Sequence, residues 1–440
     1  MSVRRILSVL LTGLTVLLVS STVSASHPGG VDRFNHLLAR IACESIGQRN
    51  HCRLNSFETD TLTDGVRRIQ YHFQVGAGEF DTIIVHRIVT DDPMRRRKAL
   101  MLLPGTGLDV DALYLPSLIT DAVSDDYSPL IHMAAEGIDV WSADYRGSDL
   151  PSGITDFSFM ADWGLATATS DMQLAIRFAR LVRLFSGEGY SRIHVGGYSA
   201  GVSVAFAVAS ADAARHYGRR DIRGIVAVDD DFEVGPANRA VACDDLAFFD
   251  SLIEQGIFHD DLSFLIFIAG LAKNDPNGPS PIAGPDVTNL QFLNIIAVLP
   301  AEGTTFHIFG GTFDDMGFPV PVFTPQAFIV DQANEFVPAL PVQISREIAA
   351  VGCSVEPVSD LDGGLGNITA PVLHIGAAGG NANAVDFTLS LLGSEDITST
   401  LVQVLEPGLE AFDYGHGDVF AATDADVRVW QPIADWVNAH

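Results

Sequence analysis

Apolar residues recur along the chain with two different spacings, and together they predict strands that alternate with helices. Two β-rich stretches, 66–75 and 81–90, lie on either side of Gly76-Ala77-Gly78, which predicts an antiparallel hairpin. From residue 98 onward, short continuous apolar runs predict buried strands, and stretches with helical spacing lie between them. This alternation predicts an α/β fold with a mostly parallel central sheet and helices on both of its faces. The further predicted strands are 98–103, 138–143, 192–196, 224–228, 370–375 and 400–405, and the predicted helices are 127–136, 171–185, 202–214, 384–392 and 425–438.

The regular pattern is interrupted once, in a long stretch where Phe, Pro and Gly are frequent and clean strands are few. We therefore predict a core formed by residues 66–231 and 367–440, and an insertion formed by residues 232–366. Residues 26–65 are predicted to be an N-terminal extension in which a short helix is followed by a loop. The chain is thus expected to have one interrupted core rather than two sequential domains.

The N-terminus has the features of a secretory signal peptide over residues 1–25. Arg4 and Arg5 precede an apolar run at 6–19, and small residues lead to a cleavage site after about Ala25. The apolar run is shorter than the roughly 20 residues that a membrane-spanning helix needs. We expect a secreted or periplasmic protein with no stable membrane span, and an uncleaved membrane anchor is the alternative.

Composition and charge narrow the possible partners. The 440 residues are 47% hydrophobic and 18% charged, which is typical of a globular protein. The chain carries 26 Lys+Arg against 55 Asp+Glu, a formal net charge of −29. Nucleic acids and anionic membranes are recognised by clusters of basic residues, so this charge argues against both as partners.

Export turns the four cysteines into a question of disulfide bonds, because exported proteins fold in an oxidising compartment. None of the four forms a C-x-x-C pair, and an even number favours two bridges over a metal site. Of the three possible pairings, we favour a local bridge, Cys43–Cys52, and a bridge across the insertion, Cys243–Cys353. Buried free thiols are the alternative.

The strongest local motif is Gly197-Tyr198-Ser199-Ala200-Gly201, a G-x-S-x-G between a predicted buried strand and an apolar helix. Small residues on both sides of Ser199 allow a turn tight enough to expose the serine hydroxyl above the end of the strand. The next backbone N–H, at the start of the helix, can then stabilise an oxygen that becomes negative during acyl transfer. The context favours a nucleophile elbow over an ordinary strand–helix turn.

At this point the chain resembles the α/β-hydrolase superfamily. The matching segments run in that family's order: Leu103-Pro104-Gly105-Thr106-Gly107, Asp144-Tyr145-Arg146-Gly147-Ser148, the G-x-S-x-G motif, and Gly415-His416-Gly417-Asp418. Pro104 replaces the His that the family commonly has before this Gly. The resemblance covers roughly residues 66–230 and 368–438, and it implies that the insertion is a lid. It also implies that Ser199 is the nucleophile and that the amides of Thr106 and Ala200 form the oxyanion hole.

The general base has to be chosen among 13 His residues. Those in predicted strands, namely His72, His86, His194 and His374, are expected to be structural. His416 lies between two Gly residues, after the last predicted strand and before the last helix, where an imidazole in a loop can reach both a serine and an acid. The chain order of the fold also places the base after the nucleophile. A loop His with no role is the alternative.

The acid of the triad is less clearly marked. Relatives of this fold usually carry it just after the strand that matches 370–375, but no carboxylate follows that strand until Asp386. Some members place the acid after the preceding strand, and in this chain that position begins Asp229-Asp230-Asp231. Asp229 aligns best with the strand end and is our first choice. Asp386 is the main alternative, followed by Asp230 and Asp231.

These residues predict a serine hydrolase that cleaves carboxylic esters through an acyl-enzyme. The nucleotide-binding Gly motifs and the zinc-binding His and Cys motifs are incomplete or missing from the sequence, so we expect neither a cofactor nor a catalytic metal. The insertion holds 14 of the 26 Phe and three basic residues, which favours an uncharged, hydrophobic ester. The alternatives are a peptidase or amidase with the same triad, and a non-catalytic binding protein that kept the fold.

Overall fold

A computed structural model describes residues 28–47, 50–91, 98–151, 153–354, 358–359, 361–382 and 384–440. The predicted signal peptide, residues 1–25, lies outside these ranges. Among the described residues, no helix is both long and apolar enough to cross a bilayer. In the same part of the chain one large sheet forms from nine strands: β1 (Arg53–Thr63), β2 (Val66–Gln74), β3 (Thr82–Thr90), β4 (Lys98–Leu103), β5 (Ile138–Ala143), β6 (Ile193–Tyr198), β7 (Ile222–Val228), β8 (Val372–Ala377) and β9 (Ile397–Val402).

The order of the strands is β1-β2-β3-β5-β4-β6-β7-β8-β9. The pairs β1·β2, β2·β3 and β3·β5 are antiparallel, whereas every pair from β5 to β9 is parallel. The mostly parallel sheet is therefore confirmed. In the registers, Tyr198 pairs with Val228 and Val228 pairs with Ile375, so β6, β7 and β8 end at one level. The loops that follow these three strands meet at this edge of the sheet.

Helices cover both faces of the sheet, as the alternation of elements predicts. The described helices are α1 (Pro28–Ser45), α2 (Val110–Tyr114), α3 (Pro129–Ala135), α4 (Leu165–Phe185), α5 (Ala200–Ala213), α6 (Arg239–Glu254), α7 (Ser263–Asn274), α8 (Asn289–Val298), α9 (Gln326–Asn334), α10 (Val342–Cys353), α11 (Val385–Ser390), α12 (Asp418–Ala421) and α13 (Gln431–Ala439). Successive residues of β4 point to opposite faces: Met101 packs in one buried cluster with α1, α4 and α5, and Leu102 packs in another with α2, α3 and α13.

Two expectations for the ends of elements are wrong. The predicted loop after α1 contains strand β1, which is polar and mostly exposed and therefore lacks the apolar pattern that marks a strand. Helix α4 begins at Leu165 rather than near residue 171. The carboxylate of Glu347, in the insertion, accepts a hydrogen bond of 2.6 Å from the Leu165 N–H, so a distant side chain satisfies the first turn of this helix.

The described part of the insertion contains helices α6 to α10 and three short antiparallel ribbons. One ribbon pairs His259–Asp261 with Ala339–Pro341, and another pairs Gly311–Phe313 with Pro319–Pro321. Helices α6 and α10 pack side by side, and α7 packs against α8 and α9. The regular structure of the insertion is thus mostly helical. Its assignment as a separate lid with bounds 232–366 stays a prediction.

Both disulfides in the structure join the cysteines that the sequence analysis favours. Cys43–Cys52 connects the end of α1 to the start of β1. Cys243–Cys353 connects α6 to the last residue of α10, across 110 residues of sequence. Free thiols are not found among the described cysteines. The second bridge therefore joins the two ends of the insertion close to the core.

We expect the long-range bridge to contribute more stability than the local one. Closing a loop of 110 residues removes more entropy from the unfolded chain than closing one of 9 residues. The double variant Cys243→Ser/Cys353→Ser should lose about 4–5 kcal/mol of unfolding free energy, and Cys43→Ser/Cys52→Ser about 2–3 kcal/mol. Denaturant unfolding measures both, and mass mapping without reduction checks the pairing. A larger loss in the local variant would contradict this prediction.

Candidate active site

Ser199 lies at the sharp turn between β6 and α5. Its backbone has φ 53° and ψ −137°, and its N–H donates a hydrogen bond of 3.2 Å to the Val228 carbonyl. The turn requires glycine on both sides: a Cβ on Gly197 would lie 2.0 Å from the Gly201 oxygen, and one on Gly201 would lie 2.4 Å from the Pro104 oxygen. A non-glycine residue with positive φ is strained, and here the strain holds the serine above the end of the strand.

The two predicted oxyanion-hole residues lie beside this serine. Ala200 is the first residue of α5, so its N–H belongs to the unpaired, positively polarised start of a helix. Thr106 follows Gly105, and a Cβ on Gly105 would lie 2.9 Å from the Ser199 Cβ. Thr106 and Ser199 also line the same cavity. The loop after β4 and the start of α5 thus approach the serine from two sides.

Asp229 follows β7 directly and is completely buried. Its Oδ2 lies 2.7 Å from His416 Nδ1, and its Oδ1 accepts hydrogen bonds from the Ala377 N–H at 2.7 Å and the Asn381 N–H at 3.1 Å. The Asn381 amide belongs to the turn after β8, where relatives of the fold usually carry the acid, and the Ala377 amide belongs to the last residue of β8 itself. That turn has no carboxylate before Asp386; instead, the end of β8 and the turn supply the donors that hold the carboxylate of the neighbouring strand.

The other candidate acids occupy different positions. Asp386 is exposed in the first turn of α11. Asp230 accepts a hydrogen bond of 2.9 Å from the Asp231 N–H. Burial raises the pKa of Asp230 to about 6 and that of Asp231 to about 8. In the described part of the chain, Asp229 is therefore the carboxylate that is hydrogen-bonded to His416.

The imidazole of His416 contacts two aromatic rings. Tyr198 stacks on its imidazole with ring centroids 4.7 Å apart, and Phe306 of the insertion lies on it at 5.4 Å. Burial by itself would lower the pKa of His416. The hydrogen bond and the charge of Asp229, helped by the charge of Asp230, outweigh burial and raise the pKa above 6.5. The ring is fixed in place, and Asp229 favours its protonated form.

The histidines of the strands have structural partners. His86 is hydrogen-bonded to Asp144 at 2.7 Å, and His72 to Glu58 at 3.1 Å. Burial lowers the pKa of His194 to about 3 and that of His374 to about 4, so both rings are neutral at pH 7. Their positions in the sheet agree with the structural role that the sequence analysis expects.

Ser199 and His416 open into a cavity of about 370 Å³ between the core and the insertion. Among the described residues that line it there is no Asp, Glu, Lys or Arg, and Gln332 donates its amide hydrogen to the Ala112 carbonyl at 3.1 Å. Apart from Ser199, His416, Thr106 and Tyr198, the other residues of the lining are apolar or glycine. Examples from the insertion are Leu265, Leu293, Ile296, Phe306, Phe309 and Phe336.

Four residues contribute to this site in ways that the sequence pattern does not predict. The amides of Ala377 and Asn381 hold Asp229 through their backbone, which any residue could supply. Phe306 is one aromatic residue among many in the insertion. Asp418, two residues after His416, belongs to the Gly415-His416-Gly417-Asp418 match, but the match implies no role for it, and its partners Gly310 and Thr324 lie 108 and 94 residues away in the sequence.

Solved structures provide the comparison with known proteins. A candidate lipase from Sulfolobus solfataricus superposes with a TM-score of 0.60 and 18% identity, covering 88% of this chain and 99% of that chain. A hypothetical protein from Pseudomonas aeruginosa gives 0.47 and 13%, covering 87% and 96%. A carboxyl esterase from Bacillus coagulans gives 0.45 and 13%, covering 84% and 98%. No family model and no curated protein matches the sequence. The similarity to the Sulfolobus protein shows that the chain has the α/β-hydrolase fold. This confirms the fold that the resemblance in the sequence implies.

If Asp229 orients the imidazole, Asp229→Asn should lower kcat by about 10⁴-fold, because the amide favours the wrong tautomer of His416. Substrate binding should be retained. Asp386→Asn is the matched control, since it changes an exposed carboxylate in the first turn of a helix, and it should leave kcat within about twofold. Steady-state kinetics on an ester measure both. A large loss in Asp386→Asn with a small one in Asp229→Asn would transfer the role to Asp386.

Proposed function

We propose that this α/β-hydrolase-fold protein hydrolyses uncharged carboxylic esters with hydrophobic groups, using Ser199 as the nucleophile. The observation that carries the proposal is the buried pair of His416 and Asp229, joined at 2.7 Å, at the wall of an apolar cavity that also contains Ser199. The structurally similar Sulfolobus protein is a candidate lipase, which agrees with ester hydrolysis.

In the first half of the reaction, His416 accepts the proton of the Ser199 hydroxyl while the oxygen attacks the ester carbonyl carbon. The carbonyl oxygen becomes negative, and the N–H groups of Thr106 and Ala200 stabilise it. When the tetrahedral intermediate collapses, His416 gives its proton to the alkoxide leaving group, and the alcohol departs. The acyl group stays bonded to Ser199.

In the second half, a water molecule takes the place of the alcohol. His416 accepts a proton from the water, the oxygen attacks the acyl carbon, and the carboxylic acid is released as the proton returns to Ser199. Asp229 keeps Nδ1 of His416 protonated, so that the other ring nitrogen can accept a proton, and it stabilises the imidazolium that forms twice per cycle.

The cavity decides the class of substrate. Its volume of about 370 Å³ lies within the range of small-molecule sites, and apolar walls bind apolar groups by removing them from water. A peptidase that recognises a free amino group needs an acidic anchor, and none lies among the described residues of the lining. An ester with a hydrophobic acyl or aromatic group is therefore favoured over an aminoacyl amide.

Only some of the insertion's Phe residues serve this cavity. Phe306, Phe309 and Phe336 line it, whereas Phe328 is buried and packs against Tyr127 of the core, and Phe248 is exposed. Most of the insertion's Phe residues therefore lie outside the lining of the cavity. The remaining part still gives the acyl site aromatic walls.

Export of the protein is part of the same proposal. Both disulfides are of the kind that persists in an oxidising compartment, which supports a secreted or periplasmic location. The signal peptide at residues 1–25 and its cleavage near Ala25 remain predictions. Amino-terminal sequencing of the exported protein would identify the first residue of the mature chain.

Ser199→Ala should abolish ester turnover and leave the fold intact, because loss of a triad serine costs on the order of 10⁶-fold in kcat. The measurement uses p-nitrophenyl esters of graded acyl length, with aminoacyl anilides assayed in parallel. The wild-type protein should prefer esters, and kcat/KM should increase with acyl length until the cavity is filled.

A matched control is Ser203→Ala, which removes a buried hydroxyl one turn later in α5 and should keep turnover. Retention by Ser199→Ala of more than about a hundredth of the wild-type rate, with an unchanged melting temperature, would contradict the role of Ser199. Faster cleavage of the anilides than of the esters would favour the peptidase alternative.

The pH dependence should report the raised pKa of His416. The neutral imidazole is the active base, so kcat/KM should rise with pH, with a midpoint above 6.5. Asp229→Asn removes the interactions that raise this pKa, and the midpoint of its residual activity should move to lower pH. A pH-stat assay measures both profiles, with Asp386→Asn as the variant that should keep the wild-type midpoint. A wild-type midpoint below 6.5 would be inconsistent with this environment.

A further inference from the structure

Asp418, the first residue of α12, is a completely buried carboxylate directly after the loop that carries His416. Its Oδ2 accepts hydrogen bonds from the Gly310 N–H at 2.6 Å and the Gly415 N–H at 2.8 Å, and its Oδ1 accepts one from the Thr324 hydroxyl at 2.6 Å. Gly310 and Thr324 belong to the insertion, whereas Gly415 precedes the imidazole. One carboxylate therefore connects the insertion to the backbone of the base loop.

Backbone hydrogen bonds join the same two segments. The His416 N–H donates to the His307 carbonyl at 2.9 Å, and the Gly417 N–H donates to the Ile308 carbonyl at 2.6 Å. A Cβ on Gly415 would lie 2.6 Å from the Ile308 oxygen, so the two backbones are in direct contact. Residues 307 and 308 are thus hydrogen-bonded directly to the base loop.

This contact continues to the segment that holds the acid. The His307 N–H donates to the Gly379 carbonyl at 2.9 Å, and Gly379 donates in turn to the Tyr414 carbonyl at 2.8 Å. Gly379 lies between Ala377 and Asn381, whose amides bind Asp229. The insertion is therefore hydrogen-bonded to the turn beside the acid as well as to the base loop, and the turn and the base loop are also bonded directly to each other.

Stability alone does not account for a carboxylate at this position. Burial, helped by the charge of Asp424, raises the pKa of Asp418 to about 7 despite its three hydrogen bonds. Removing a carboxylate from water is costly, and an apolar side chain of similar size is often as stable or more so. The Asp418 carboxylate accepts hydrogen bonds from three donors, two on the insertion and one on the base loop, so it sets the distance between these two segments.

We propose that Asp418 is a positioning residue, which holds His416 in register with Asp229 by fixing the base loop to residues 307–310 and Thr324 of the insertion. The insertion is then part of the catalytic framework as well as a wall of the substrate cavity. This proposal rests on the proposed function for its kinetic readout, but the position of the imidazole can be measured independently.

Asp418→Ala leaves the N–H groups of Gly310 and Gly415 without this acceptor and removes the side-chain link between the insertion and the base loop. Because small displacements of a catalytic group cost about 10²-fold, kcat should fall by about 100-fold, with a change in KM of less than about threefold. Asp418→Asn is the rescuing variant. Its oxygen can accept both backbone hydrogen bonds and its NH₂ can donate to Thr324, so kcat should return to within about fivefold of wild type.

Asp212 provides a matched control at the other end of the sheet. It is also buried, and its carboxylate accepts the backbone N–H groups of Asp221 and Ile222 at the start of β7. Asp212→Ala should lower the melting temperature about as much as Asp418→Ala while kcat stays within about twofold. An equal loss of kcat in both variants would show general destabilisation and overturn the proposal, as would an Asp418→Ala protein with kcat within threefold of wild type.

A second readout does not depend on turnover. The proton on His416 Nδ1, bonded to Asp229, should give a downfield ¹H NMR resonance that disappears in His416→Ala. This resonance should be lost or broadened in Asp418→Ala and unchanged in Asp212→Ala and Asp418→Asn. An unchanged resonance in Asp418→Ala would overturn the positioning role. If the wild-type protein shows the resonance but cleaves no ester, the proposed function fails while the positioning role is still decided.

If Asp418→Ala does not fold, Thr324→Val takes its place, since it removes one hydrogen bond at constant shape. It should reduce kcat by about tenfold, and Thr324→Ser, which keeps the hydroxyl, should restore it. Equal kcat values for Thr324→Val and Thr324→Ser, with the His416 resonance unchanged in both, would contradict the link between the insertion and the base.

Discussion

The buried charge of Asp229 constrains the whole edge of the sheet where the site lies. A carboxylate without access to water costs several kcal/mol unless charged or dipolar partners surround it. Here the partners are the imidazole of His416 and two backbone amides, one at the last residue of β8 and one in the turn after it. The base loop and the turn after β8 must therefore close around one residue. The parallel register of β6, β7 and β8 makes this possible, because it brings their ends to the same level.

The close approach of backbones follows from that constraint. A Cβ on Gly380 would lie 2.1 Å from Asp229 Oδ2. Residues 307–308 of the insertion are hydrogen-bonded to both the turn and the base loop. The aromatic rings of Tyr198 and Phe306 then limit the rotation of the imidazole. Order at the site is supplied by neighbouring segments from four parts of the chain, and no single segment would hold the base and the acid in register.

The sequence predicts those features that depend on local context. The elbow at Ser199 and the loop of His416 each combine a residue type with its immediate neighbours, and the alternation of apolar runs predicts the parallel sheet. Asp229 could be ranked first only through the order of the strands. Features that depend on distant partners were missed: Glu347 at the start of α4 is 182 residues from the amide it binds, and Gly310 is 108 residues from Asp418. Strand β1 was missed because its residues are polar.

The contacts of the insertion also bear on how a substrate can enter. Moving residues 307–310 away from the core would break three backbone hydrogen bonds, to Gly379, His416 and Gly417, and the bond from Gly310 to Asp418, each worth about 1 kcal/mol or more when buried. It would also displace the base that the substrate needs. Helices α7 and α8 line the same cavity. Helix α8 is tied to this segment, because the Phe309 N–H donates to the Ala297 carbonyl at 2.9 Å, whereas no described hydrogen bond joins α7 to residues 307–310. A movement of α7 therefore breaks fewer of these hydrogen bonds than a movement of residues 307–310, and it leaves the segment beside His416 in place.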